Sequence, residues 1–162
     1  MGIDPESDVS ILVLCYKLKA QKPGQISQEE FVKGMTELRV DSVERLKQVL
    51  PSLDPGFMGQ YEFRDFYRFV FTFSREGTKK TVEKDIVCAL LPLVLPDSTR
   101  GQGATSQFVE FLEATDSVKI VTQDQWNSFL EYAKSVGTDI DRYDTDSSWP
   151  LLLDDFVSAN FK

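Results

Sequence analysis

The densest set of oxygen donors in the chain is Asp144, Thr145, Asp146, Ser147 and Ser148, with Asp155 at the twelfth place counted from Asp144. That spacing approaches a calcium loop, where oxygens at the first, third and fifth positions and a bidentate Glu at the twelfth surround the ion. Two departures oppose it: Trp149 stands where the loop needs Gly, and Asp155 is shorter than the closing Glu. Two further stretches, 24–31 and 119–126, resemble each other and the exit of such a loop. Registered on Glu30, the early ligand positions fall on Lys19, Gln21 and Pro23; registered on Gln125, they fall on Ala114, Asp116 and Val118. Neither set can surround calcium, and an EF-hand-like scaffold without metal is the expectation.

Other chemistry is poorly supplied. Histidine is absent, which removes the commonest general base, the usual activator of a nucleophilic Ser or Cys, and the commonest metal ligand. No Gly-rich phosphate loop or dinucleotide fingerprint would bring a cofactor alongside. A binding protein without cofactor or catalytic residues is expected. Cys15 and Cys88 lie in apolar runs and read as buried free thiols in a reducing compartment. The net charge is -8, and seven of those eight excess charges lie from Val109 onward, where eleven acids face four basic residues. Such a field repels nucleic acid and steers a basic protein surface into place. No apolar run reaches the roughly 20 residues of a membrane helix, and no secretory signal is visible at the N-terminus.

The elements that position these residues are helical, with period-2 alternation and hairpin turns missing. Helices are expected over 8–20, from a Ser27/Glu30 capping box, and from Asp41/Glu44 up to Pro51, with a Pro23-Gly24 turn after the first. An aromatic helix over 61–73 holds seven rings, too many for one stripe, so packing on several sides is expected. After a basic connector over 74–80, an apolar helix over 82–95 contains Pro92. The glycines of 97–105 mark a linker between sub-lobes 1–96 and 106–162. Helices around 107–113, from a Thr122/Gln125 capping box to Gly137, and from Pro150 complete an all-α chain of two tandem EF-hand-like lobes.

Three segments carry a family resemblance: Gln28 to Leu38 (QEEFVKGMTEL), Phe66 to Phe73 (FYRFVFTF) and Trp149 to Val157 (WPLLLDDFV), together with Asp124 to Asn127 (DQWN). In order and approximate spacing they resemble the potentiating-neddylation domain of the defective-in-cullin-neddylation family, over nearly the whole chain. The resemblance implies a scaffold-type co-ligase that helps a conjugating enzyme transfer a ubiquitin-like modifier to a cullin. It implies a monomer found in nucleus and cytoplasm. Relatives in the family have additional residues before Asp4 that complete the first lobe, so the resemblance makes this chain either naturally short or trimmed, and the ubiquitin-binding module at the start of some relatives is not expected here.

Matching the motifs carries over two sites. An acidic patch for the basic winged-helix domain of a cullin falls on Asp124, Ser148 and Asp154; the family more usually has Ala at the Ser148 position. A hydrophobic pocket for the N-acetylated methionine of the conjugating enzyme falls on Ile11, Leu14, Cys15, Leu18, Ile26, Phe73 and Leu93. Acetylation matters because an apolar pocket penalises a charged amine far more than an amide. Two alternatives are a calcium-responsive EF-hand-like sensor and a helical adaptor for another basic protein.

Overall fold

Asp8 opens the first helix of the computed structural model, which describes residues 8–22 and 25–161, by accepting a hydrogen bond from the Ser10 amide at 2.9 Å. Two compact units, 1–74 and 75–162, divide at Ser74. The first comprises α1 (Val9–Lys17), α2 (Gln28–Glu37), α3 (Val43–Val49) and α4 (Gln60–Ser74), with short 3-10 turns at Leu50–Leu53 and Pro55–Phe57 between the last two. The Pro23-Gly24 turn lies outside the described residues.

Both α1 and α2 stop in the same way. Lys19 and Arg39 take left-handed backbone conformations (φ 54° and 58°), and the amides of Ala20 and Val40 bond back to the carbonyls of Cys15 and Met35 at 3.0 and 2.9 Å. This satisfies carbonyls that a helix end would otherwise orphan. The Ser27/Glu30 capping box of α2 forms as its sequence predicts. For α3 the cap is Ser42, which accepts from the Arg45 amide at 3.2 Å, rather than Asp41. On α4 the buried residues Phe63, Phe66, Tyr67, Val70, Phe71 and Phe73 span an arc of about 160° at 100° per residue. That arc is broader than a stripe, yet it leaves Tyr61 82% exposed, so one side of the aromatic helix faces solvent.

The second unit holds β1 (Thr81–Glu83), α5 (Lys84–Val94), α6 (Ala104–Ala114), β2 (Ile120–Thr122), α7 (Gln123–Ser135), a 3-10 turn at Ile140–Arg142, and α8 (Leu151–Phe161). The chain is essentially all-α, but β1 and β2 pair antiparallel, Val82 opposite Val121, a feature its sequence did not announce. Three residues are too few for alternation to register, and their apolar members run into the following helices. Each strand leads directly into a helix, α5 or α7. Pro92 lies in the last turns of α5 and does not end it.

The 97–105 stretch lies inside the second unit. Its glycines are used for close approach: a Cβ on buried Gly101 would come within 2.6 Å of the Leu95 carbonyl oxygen. Asp97 accepts from the Thr105 amide at 2.9 Å and from Ser106 at 3.2 Å, capping α6, and the Thr105 hydroxyl donates to the Leu95 carbonyl at 2.7 Å. A segment that reads as a linker by composition is a tight, hydrogen-bonded turn joining two packed helices, α5 and α6. The core of this unit centres on Phe108, stacked on Phe129 at 4.2 Å and meeting Phe156 edge-on at 5.2 Å. No helix among the described residues is long and apolar enough to cross a membrane.

Candidate functional site

Asp154 sits in the first turn of α8, where a carboxylate is favoured by the helix dipole. It is half-buried, and its Oδ1 accepts a hydrogen bond from the Tyr143 hydroxyl. The Tyr143 ring stacks on Trp149 (5.8 Å, 18° between planes), and Tyr132 of α7 meets both rings at about 6 Å. Burial, then the bond to Asp154, pushes the Tyr143 hydroxyl well above the ordinary phenol range, while burial alone lifts Tyr132 to about 12. Both are neutral donors at physiological pH.

Ser148 precedes Trp149 and is exposed. The turn that presents it is built by Asp144, whose two carboxylate oxygens accept from the Asp146 amide at 2.9 Å and the Ser147 hydroxyl at 3.0 Å. Upstream, Asp139 pairs with Arg142 at 3.1 Å. Asp124 is exposed in the first turn of α7, behind the Thr122/Gln125 capping box. α7 and α8 pack together. Asp124 lies eight residues, about 12 Å of helix, before Tyr132, so the ring contacts tie Asp154 to the Ser148 segment more directly than to Asp124.

The two EF-hand-like loop exits are each closed by a capping box. Glu30 and Gln125, at the closing position of each loop, have turned back to accept from the amides of Ser27 and Thr122 at 3.0 and 2.9 Å. Among the described residues no cluster of three or more His, Cys, Asp or Glu is arranged to hold a metal.

The pocket residues divide. Ile11, Leu14, Cys15 and Leu18 follow helical spacing along α1 and its cap, and Cys15 clusters with Ala20 and Phe73, flanked by Leu12 and Phe69. Leu14, Cys15, Leu18 and Phe73 are buried, Ile11 is half-buried and Ile26 is 40% exposed. Leu93 belongs to the second unit, half-buried on α5. Ile26 borders an open cavity of about 560 Å³ whose lining also includes Gln21, Lys22 and Glu30.

A groove of about 360 Å³ escaped the sequence reading. Its floor is Tyr16, Ala20 and Phe69, and its rim is two ion pairs, Lys17 with Glu62 and Lys19 with Glu37 at 3.4 Å. The i, i+4 spacing of Tyr16 and Ala20 was a visible signal, but α4 had to fold against α1 before Phe69 could complete the floor.

Comparison with known proteins supplies the family. A model described as cullin binding matches residues 45–159, well over half of the chain. The chain belongs to this cullin-binding, defective-in-cullin-neddylation family. It is 34% identical over 157 residues to DCN1-like protein 5 of Homo sapiens, covering 97% of this chain and 64% of the relative. The figures are 34% and 52% of the relative for DCN1-like protein 4 of Homo sapiens, and 33% and 61% for DCN1-like protein 4 of Drosophila melanogaster. The chain thus spans between half and two thirds of the length of these relatives, and the family match contains Asp124, Ser148 and Asp154.

Proposed function

We propose that this chain is a scaffold-type co-ligase for cullin neddylation, docking the basic winged-helix domain of a cullin and the N-acetylated terminus of the neddylation conjugating enzyme. The observation that carries the reading is the cullin-binding family match, which contains all eleven acids from Val109 onward. Asp124, Ser148 and Asp154 form the cullin site: an exposed and a half-buried carboxylate, each in the first turn of a helix, with an exposed serine just before α8. The face of α1 that carries Ile11, Leu14, Cys15 and Leu18, with Ile26 and Phe73 of the same unit, receives the acetylated methionine. An amide enters such an apolar surface at the cost of one hydrogen bond, whereas an ammonium loses its hydration.

The thioester chemistry stays with the conjugating enzyme. The scaffold accelerates transfer by holding donor and acceptor in one complex, which raises their effective concentration and removes part of the entropic barrier. The role fits a nuclear and cytoplasmic protein.

Calorimetry tests both halves. The chain is titrated with a cullin winged-helix domain, and separately with a conjugating-enzyme N-terminal peptide in acetylated and free-amine forms. Binding of both partners with a strong preference for acetyl is the expected result. Replacing Asp124 and Asp154 together with Lys is expected to abolish cullin binding while circular dichroism stays unchanged, and undiminished affinity in that variant would refute the acidic-site assignment.

A further inference from the structure

Three aromatic side chains with polar atoms, Tyr132, Tyr143 and Trp149, pack around the start of α8, and their polar atoms are treated unequally. The Tyr132 hydroxyl and the Trp149 Nε1 are buried and have no hydrogen-bond partner among the described residues. Leaving such donors unpaired is costly, so a cluster that does so is not arranged to maximise its own hydrogen bonding. The third group, the Tyr143 hydroxyl, does have a partner, the Asp154 carboxylate. Oδ1 takes that bond, while Oδ2 has no partner among the described residues, and Asp154 is only half-buried. A carboxylate accepts several hydrogen bonds, so one oxygen held from behind leaves the other to meet a donor from in front.

From this geometry we infer that Tyr143 is a positioning residue for the docking site: its hydroxyl fixes the Asp154 carboxylate in one orientation, with Oδ2 directed to a cationic side chain of the partner. The inference rests on the proposed cullin reading and adds a residue to it. Stacking on Trp149 fixes the Tyr143 ring, and the same Trp149 adjoins Ser148, so one bracket orders both Asp154 and the segment before α8. Fixing the carboxylate before binding removes an ordering cost that would otherwise fall on association. Tyr143 itself need not touch the partner.

A double-mutant cycle on the whole chain, read by calorimetry with a basic cullin winged-helix domain, separates positioning from bulk structure. Tyr143→Phe keeps the stack and removes only the hydroxyl; it is expected to weaken binding about three- to tenfold. Asp154→Ala is expected to weaken it more, and adding Tyr143→Phe to Asp154→Ala should then change nothing. Tyr132→Phe, which removes an unpartnered hydroxyl from the same cluster, should leave affinity unchanged. A loss from Tyr143→Phe that is equal with and without Asp154 would overturn the inference, as would an equal loss from Tyr132→Phe. Full affinity in Tyr143→Phe alongside a loss in Asp154→Ala would overturn it and leave the docking reading standing. Full affinity in Asp154→Ala would bring down both.

Discussion

Acidic residues of the second unit carry the same formal charge but have different duties, and their partners sort them. Asp97 is engaged by two backbone amides at the start of α6, and Asp144 has both oxygens occupied within its own turn. Asp139 is paired with Arg142. Asp154 has one oxygen engaged, and Asp124 has no partner among the described residues and is exposed. Of these five, only the last two can meet a basic partner without giving up an internal bond. Asp97→Ala should therefore destabilise the fold by about 1 kcal/mol through the lost cap. Asp124→Asn should stay within about 0.5 kcal/mol of the parent. Urea unfolding of the two variants checks the contrast, and equal losses would contradict this division of labour.

Elements depend on close approaches that no propensity scale contains. Gly34, in the middle of α2, faces the end of α1: a Cβ there would lie 2.2 Å from Leu18 Cδ2 and 2.8 Å from Leu18 Cα. An alanine would favour the helix by roughly 1 kcal/mol, but overpacking costs about 1–3 kcal/mol, and backbone atoms cannot swing aside as a side-chain tip can. Gly34→Ala is expected to lose up to about 2 kcal/mol net in thermal or denaturant unfolding. Leu18 belongs to the proposed acetyl-methionine surface, so the same substitution should weaken the acetylated peptide while leaving the winged-helix titration unchanged. A more stable Gly34→Ala protein would show that α1 and α2 are not in this contact.

Across the whole molecule the buried phenols and thiols share one sign. Burial raises Tyr67, Tyr132 (to about 12), Tyr143 and Cys15 above their ordinary values. The unfolded chain releases a phenol proton near pH 10, whereas the native chain keeps it, so the contribution of the phenols is fully present below pH 10 and is lost as pH rises through the native values. Tyr132 alone should remove roughly 2–3 kcal/mol between pH 10 and pH 12. Denaturant midpoints measured from pH 8 to pH 12 test this, and a flat profile would contradict it. Much of the molecule was legible in its residues. The capping boxes at Ser27 and Thr122, the start of α8 at Pro150, the acidic excess and the family follow from local chemistry and motif spacing, which need no knowledge of what folds against what. Tertiary structure alone decided the rest. It set the division at Ser74, because the Gly-containing stretch 97–105 is held by Asp97, Thr105 and Gly101 into a turn that composition reads as a linker. It paired β1 with β2, made the Tyr16/Ala20/Phe69 groove and brought the Tyr143 hydroxyl to Asp154, all contacts between residues distant in sequence. Periodicity reports which face of an element is apolar; it cannot report what that face will meet.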